Sequence, residues 1–413
     1  MTGGFYWLSQ PGRPLQTAGP GCAGCHIRTT LEWDGPAAAA FSKGVHALNP
    51  NRVFPGSIPQ SATAHQEPSA QFASFKADSF RAAECLSCHA SAHEAWEYSA
   101  HGRAFTNPIF QHAFERDRKA WCLNCHAPLW DARRDGEAAS IAEEPDIGAL
   151  YAEGINCVSC HVRDGEIHAA TDYSKKPDVK LFHPVRYDPG LARDSFCAGC
   201  HQFNFVHELE PFTVYEGDEH PMQNVVRESR ESNGALYPAG CTGCHYAQGD
   251  HSLKSKGARR LRDKMVIEIA TTRPGAARPA KDGPDGEDGQ RANRQYSVTL
   301  KLSIPRIAHH FPTGDLFRIL SFYIYDAQGG ELYRYDFRKE VRVVDRAVIS
   351  DTTLKPRPDE YGAHATIQAR LARRPARCSV VYRLQGAIDP DIAGDFKDPA
   401  ILSETVYEGS CGD

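Results

Sequence analysis

The sequence predicts an α+β fold with two parts: a loop-rich, mainly α-helical domain over residues 1–255 and a β-sandwich-like domain over residues 256–413. Three observations predict it. Every copy of a repeated five-residue cysteine pattern lies in the first part, among loops rich in Pro, Gly and Ser. Aromatic residues recur amid alanine and charge around the second and third copies, which favours helices that end at Asn107-Pro108. After Lys254, short β-branched and aromatic segments favour strands.

Twelve of the fourteen cysteines fall in six frames that share the pattern Cys-x-x-Cys-His, the attachment signature of c-type haem. Two cysteines of one frame can form thioethers with the two vinyl groups of one haem, and the adjacent histidine can then coordinate the iron. The predicted attachment cysteines are Cys22, Cys25, Cys85, Cys88, Cys122, Cys125, Cys157, Cys160, Cys197, Cys200, Cys241 and Cys244. The predicted proximal ligands are His26, His89, His126, His161, His201 and His245.

Two other uses of paired cysteines fit less well. A structural zinc site needs four thiolate or imidazole ligands and has no use for a histidine fixed directly after the second cysteine. A thioredoxin-like dithiol usually occurs once, near a βαβ pattern, which the sequence lacks. The sequence therefore predicts six covalent haem c groups. Six frames in roughly 250 residues leave about 42 residues for each haem, so the porphyrins must supply much of the apolar interior.

The remaining histidines are numerous enough to supply the ligand on the far side of each iron. Nineteen histidines minus six proximal ones leave thirteen, whereas the chain has only three methionines. Methionine therefore cannot be the general distal ligand. An iron with two histidine ligands is six-coordinate and leaves no position for substrate, which suits an electron relay.

The second part contains strand-like segments in order: KMVIEIATT, QYSVTLKLSI, RILSFYIYDA, ELYRYDF, KEVRVV and CSVVYRL. DAQGGE is a hairpin-type turn between two of them. A polar Gly/Pro-rich loop near residues 274–294 is predicted to be mobile. Cys378 and Cys411 are the two cysteines outside the frames, and either a disulfide or two buried thiols would account for them.

Charge and compartment limit the partners. The formal net charge is −5, and six ferric haems with ionised propionates take it to about −11, which argues against nucleic acid as a partner. Haem is attached covalently outside the cytoplasmic membrane, so we expect a periplasmic or extracellular protein. MTGGFYWLSQPGRPLQ does not read as a signal peptide, so we expect a mature or trimmed chain. No apolar run is long enough to predict a membrane span.

Several phrases resemble the multihaem cytochromes related to hydroxylamine oxidoreductase and its tetrahaem electron-accepting cytochrome. Trp96, Ser99, His101 and Ala104 match the W-x-x-S-x-H-x-x-A signature of that family, whose histidine is a distal ligand. CLNCHAP, EGINCVSCH and SFCAGCHQF are similar to other family phrases. IAHHFPTGD and DTTLKP are similar to phrases of a β-domain found in extracellular members, with His309 at the ligand position. The resemblance covers roughly residues 80 to 385.

The resemblance implies distal ligation by His101, His183, His251 and His309. The remaining candidates are His46, which has few competing donors near the first frame, and His112, which could equally be an ordinary helix-face histidine. The function expected is electron relay between redox partner proteins or other cytochromes, with self-association through an exchanged distal histidine as a further hypothesis. The alternative is an oxidoreductase that acts on a small nitrogen or sulfur compound at one five-coordinate haem. Against it, all six frames end in histidine, and octahaem oxidoreductases of this family have two more haems.

Overall fold

The computed structural model describes most of the chain from residue 81 onward. The described ranges are 81–86, 88–116, 122–129, 145–163, 166–179, 181, 183–205, 219–233, 240–253, 259–273, 295–342, 347–357, 362–384 and 402–412, together with the backbone of 5–7 and 16–18. Cys22, Cys25, His26, His46 and the loop near 274–294 lie outside these residues, and the boundary at residue 255 stays a prediction.

Short helices alternate with turns in the described part of the first region. They are α1 (Ala83–Leu86), α2 (Ala90–Glu97), α3 (Pro108–Arg116), α4 (Leu123–His126), α5 (Pro145–Ala152), α6 (Cys157–His161), α7 (Asp194–His201), α8 (Val225–Asn233) and α9 (Gly240–His245). Each described cysteine frame contains or adjoins one of these helices. Residues three apart lie on the same side of a helix, so a helical turn directs both cysteines of a frame toward one place.

The helical prediction before Asn107 was only partly correct. α2 ends at Glu97, and turns occupy residues 98–106. The chain turns here because the Ser99 hydroxyl accepts the backbone N–H of Gly102 at 3.0 Å. α3 then begins at Pro108, with the Asn107 carboxamide oxygen accepting the N–H of Ile109 at 2.9 Å, an ordinary helix start.

Small sheets connect the helices. β1 (Phe5–Trp7) pairs with β2 (Gln16–Ala18), and β3 (Val162–Arg163), β4 (Glu166–Ala169) and β5 (Arg186–Tyr187) form a three-stranded sheet. β6 (Gln202–Asn204) directly follows α7 and pairs antiparallel with β7 (Pro221–Asn224), which runs into α8. This pairing attaches α8 to the segment that follows His201.

The C-terminal region is built from antiparallel strands after helix α10 (Arg259–Lys264). The strands are β8 (Val266–Thr272), β9 (Tyr296–Ile304), β10 (Ile319–Tyr325), β11 (Glu331–Phe337), β12 (Lys339–Val341), β13 (Val348–Asp351), β14 (Ala363–Leu371), β15 (Arg377–Arg383) and β16 (Ser403–Ser410). One sheet has the order β11-β10-β15-β16, a second has β14-β9-β8, and β12 pairs with β13.

The two larger sheets share one hydrophobic core, which confirms the α+β fold with its sandwich-like C-terminal region. β9 contributes Val298, Leu300 and Leu302, which face Leu320 and Phe322 of β10. All five side chains are almost completely buried. The predicted hairpin turn is present between β10 and β11, where Gly329 has a φ of +84° that favours glycine.

A disulfide joins Cys378 of β15 to Cys411, just after β16. The carbonyl oxygen of Cys411 also accepts the Thr271 hydroxyl at 2.8 Å, so the end of the chain contacts both sheets. The structure therefore supports the disulfide rather than two buried thiols. Among the described residues, no helix is long and apolar enough to cross a membrane.

Replacing both Cys378 and Cys411 by alanine should destabilise the C-terminal sheets without changing the haem absorbance at 25 °C. The disulfide closes a sequence separation of 33 residues. The chain-entropy account gives about 3–4 kcal/mol for such a loop. Hydrogen exchange of peptides from β15 and β16, followed by mass spectrometry, measures the free energy of opening. Reduced wild-type protein is the control and should behave like the variant, whereas equal protection in variant and oxidised wild type would contradict the prediction.

Candidate haem-binding centre

Four of the described frame histidines face a second histidine at nearly the same distance. The ring centroids lie 6.2 Å apart in His89–His183, 6.2 Å in His101–His201, 6.2 Å in His161–His251 and 6.4 Å in His245–His309. The angles between the ring planes are 59°, 23°, 39° and 17°, respectively. In each pair the partner of the frame histidine is one of the four histidines that the family resemblance implies as distal ligands, namely His183, His101, His251 and His309.

The separation has a simple chemical meaning. A metal–imidazole bond of about 2.0 Å, with the ring centre about 1.2 Å beyond the nitrogen, puts two imidazoles on opposite sides of one metal about 6.4 Å apart. Rings in van der Waals contact would be closer, and unrelated rings would show no common distance. The four facing pairs therefore fit haem iron between them.

Backbone carbonyls fix the tautomer of several ligand candidates. His126 donates from Nδ1 to the Ala104 carbonyl at 2.7 Å, and His161 donates to the His168 carbonyl at 2.8 Å. A carbonyl oxygen can only accept, so Nδ1 carries the proton and Nε2 keeps the lone pair that a metal needs. The same bond is made to a backbone carbonyl by His183 (3.0 Å), His245 (3.2 Å), His251 (2.8 Å) and His309 (2.8 Å).

Burial keeps the central imidazoles neutral. Desolvation, with the nearby His201 and His245, lowers the pKa of His101 to about 3. Desolvation, with His245 and Arg318, lowers the pKa of His201 to about 4. A neutral imidazole keeps the lone pair that metal ligation needs.

The residues of the W-x-x-S-x-H-x-x-A signature each have a structural role around His101. The Trp96 indole N–H donates to the Ile155 carbonyl at 2.8 Å, and Ser99 holds the turn described above. The backbone of Ala104 closes the turn by donating to the His101 carbonyl at 3.1 Å. Because the carbonyl of Ala104 also accepts from His126, one turn positions ligand candidates for two haems.

A glycine allows a second segment to pack on this turn. Gly154 has a φ of +58°, and a Cβ built there would lie 2.5 Å from the His101 carbonyl oxygen and 3.0 Å from the Ala104 nitrogen. The next residue, Ile155, donates its N–H to the His101 carbonyl at 3.0 Å. The segment before the frame Cys157–His161 therefore supports the ligand of another frame.

The cysteine frames approach one another in pairs. Cys85 lies within hydrogen-bonding reach of Cys157, and Cys197 lies within reach of Cys241. The partly buried Tyr246 lies near Cys160 and Cys197, which belong to two of these frames.

The other two described ligand candidates, His126 and His112, have no facing histidine among the ring pairs given above. His126 stacks on Phe110 of α3, with ring centroids 3.8 Å apart and planes 8° apart. His112, also on α3, is partly buried. The assignment of His112 as a distal ligand stays a prediction.

Sequence analysis missed a buried charged group beside His309. Glu228 of α8 is fully buried, and its carboxylate accepts hydrogen bonds from Lys339 and from the Thr313 hydroxyl, the latter at 2.5 Å. His310 lies between Glu228, at 3.8 Å, and Asp351, at 3.5 Å. In the sequence these residues look like ordinary surface charges, and only the three-dimensional packing brings them together.

Comparisons with known proteins agree with this site. Residues 84–162 match the family described as Cytochrome c554 and c-prime. The crystal structure of a penta-heme cytochrome c552 from Thermochromatium tepidum is similar in fold, with a TM-score of 0.54 and 19% sequence identity. The similarity covers 78% of this chain and 96% of that one. No curated protein sequence matches the chain significantly.

The attachment frames, the family match over residues 84–162 and the similar fold together support the class of multihaem c-type cytochromes. Covalent haem c is the cofactor of that class. The described frame cysteines and the facing histidines fit it.

Replacing Gly154 by alanine should disturb the turn that positions His101 and His126. The new Cβ would overlap the His101 carbonyl, in addition to the strain of a positive φ, so we expect a loss of about 2–4 kcal/mol and altered low-spin EPR signals. Gly329→Ala is the matched control: its φ is also positive, at +84°, but its Cβ would meet nothing within 4 Å. Thermal unfolding and EPR of both variants test this, and equal effects would show that only backbone strain matters.

Proposed function

We propose that the chain is a hexahaem c-type cytochrome that relays electrons, with histidine on both sides of most irons. The proposed attachment cysteines and proximal histidines are those of the six frames. The proposed distal ligands are His46, His101, His112, His183, His251 and His309. We also propose a common origin with the hydroxylamine oxidoreductase and tetrahaem cytochrome family, which the match to Cytochrome c554 and c-prime supports.

The facing imidazole pairs carry this proposal. They assign His183 to the frame Cys85–His89, His251 to Cys157–His161, His101 to Cys197–His201 and His309 to Cys241–His245. Haem iron supplies reversible one-electron chemistry when bound. Two imidazoles that are held by backbone hydrogen bonds keep the same ligand set in both oxidation states, which suits repeated electron transfer better than substrate binding.

The contacts between frames support a continuous relay. Cys85 contacts Cys157, Tyr246 lies near both Cys160 and Cys197, and Cys197 contacts Cys241. The frames would therefore follow one another in space in the order 85–89, 157–161, 197–201 and 241–245. The frame 122–126 would lie beside the third of these, because His126 bonds to the Ala104 carbonyl in the turn that carries His101, and His101 faces His201.

We infer a periplasmic or extracellular location and partners that are redox proteins. The disulfide Cys378–Cys411 supports an oxidising compartment, since such bonds persist there and are rare in the cytosol. The C-terminal strands would form a separate domain over residues 256–413 that contributes one ligand, His309, and offers surface for docking.

Low-temperature EPR of the oxidised holoprotein tests the ligand assignment. We expect the irons of the four facing pairs to be low-spin and insensitive to cyanide. His101→Ala should convert one iron to a high-spin form that binds cyanide, because removing one imidazole opens one coordination position. His364→Ala is the control, since His364 is an exposed histidine of β14. A His101→Ala spectrum identical to that of wild type would refute this ligand.

The number of haems is tested by the mass of the intact holoprotein. We expect a covalent mass excess of six haems, confirmed by the pyridine haemochrome absorbance per polypeptide. Replacing Cys22 and Cys25 by alanine should remove one haem, whereas replacing Cys378 and Cys411 should remove none because that pair forms a disulfide. An excess of five haems in the unaltered protein would contradict the proposal.

A further inference from the structure

Glu228 is an unusual carboxylate for this acidic protein because it is fully buried. It projects from α8, and the groups that contact it come from the C-terminal region. Lys339, at the start of β12, donates to one carboxylate oxygen, and its side chain is only 7% exposed. A buried carboxylate and a buried ammonium group tolerate the loss of solvent only as a pair with further hydrogen bonds.

The second carboxylate oxygen binds the loop that carries His309. The Thr313 hydroxyl donates to it at 2.5 Å, and the His310 ring lies 3.8 Å from the first oxygen. Thr313 is therefore hydrogen-bonded to Glu228, and His310, at the other end of the segment, lies close to the same carboxylate. His309 directly precedes this segment and donates its Nδ1–H to the His310 carbonyl at 2.8 Å.

Further contacts make the loop rigid. Phe311 and Leu354 exchange two backbone hydrogen bonds, at 2.9 and 2.8 Å, and the Thr353 hydroxyl lies 3.4 Å from the His310 ring. The Thr313 carbonyl accepts from Arg318 at 3.0 Å. The loop thus has fixed contacts within the C-terminal region, and Glu228 supplies its contact with the helical region.

α8 is itself hydrogen-bonded to the residue that follows His201, the proposed proximal ligand of a neighbouring frame. The backbone N–H of Arg227 donates to the Gln202 carboxamide at 2.9 Å, and Gln202 directly follows His201. β6 and β7 pair next to this bond. A continuous path of hydrogen bonds therefore runs from the segment after His201, through α8 and Glu228, to the loop that presents His309 to His245.

We propose that Glu228 is a positioning residue that, paired with Lys339, holds His309 at ligand distance from the iron of the frame Cys241–His245. This inference rests on the proposed function, since it takes His309 to be a distal ligand. Glu228 would act through the loop and would not touch the haem. Its loss should weaken the ligation of one iron and leave the other irons unchanged.

Glu228→Gln in the full-length holoprotein is the first test. The substitution keeps the shape of the side chain but removes the charge that pairs with Lys339. We expect one iron per molecule to bind cyanide at concentrations about 10–100-fold lower than in wild type, the range typical for loss of a group that supports a metal ligand. Lys339→Met removes the same pair from the other side and should have the same effect, so the test stands even if one variant fails to incorporate haem.

Two further variants separate positioning from general stability. Glu268→Gln is the matched control, because Glu268 forms a solvent-exposed pair with Lys301 at 3.9 Å and lies far from any frame in the sequence. It should leave the cyanide titration unchanged. The double variant Glu228→Gln/Lys339→Met leaves no unpaired buried charge and should return part of the way toward wild type. Lower thermal stability of Glu228→Gln without a change in cyanide binding would overturn the positioning role.

His309→Ala distinguishes failure of this inference from failure of the proposed ligand. It should give one high-spin iron that binds cyanide. If it does not, His309 is not a ligand, and both the assignment and the inference fall. If His309→Ala gives the high-spin iron but Glu228→Gln behaves like Glu268→Gln, the ligand assignment stands and only the inference fails.

Discussion

Each facing imidazole pair joins two segments that lie about 60 to 100 residues apart in the sequence, so the pairs impose long-range contacts on a region of short helices. Helices of four to nine residues, like those around the frames, are too short to be stable alone. Among the described residues of this region, side chains form small clusters such as the one around Leu129, Leu150 and Val158. If the pairs bind iron as proposed, the constraint that two nitrogens must face one iron does much of the organising that a continuous apolar core does in the C-terminal sheets.

Backbone groups, rather than side chains, hold most of these imidazoles. A side-chain partner could be lost by a single substitution, whereas a carbonyl such as that of Ala104 is present whatever residue occupies the position. The identity of the residue matters instead at the positions that determine the conformation of the turn. Gly154 is an example: it has no side chain that could form a contact, yet any Cβ there would collide with the backbone carbonyl of His101. Glu228 is the exception, since its side chain pairs with Lys339 of β12 and accepts a hydrogen bond from Thr313 in the loop of His309.

The sequence predicted the frames, the general fold and several strands, because these features depend on local pattern. The strand-like segments from KMVIEIATT to ELYRYDF correspond to β8–β11, where β-branched and aromatic residues dominate. β14 was missed because AHATIQARL is rich in helix-forming residues, and its strand state comes from nine paired positions along β9. The ring pairing of His101 with His201 rather than another frame could not be predicted from local pattern, since it depends on how remote segments pack.

The facing pairs also restrict where an alternative, enzymatic function could occur. A substrate needs an open coordination position, and an iron held between two imidazoles has none. If the four pairs bind iron as proposed, only the frames Cys22–His26 and Cys122–His126 could provide a reactive iron. In the second of these frames, His126 bonds to the turn that carries His101, whose ring faces the neutral imidazole of His201. On this proposal the relay and the enzymatic function share the four facing pairs and differ only in what happens at one or two remaining irons.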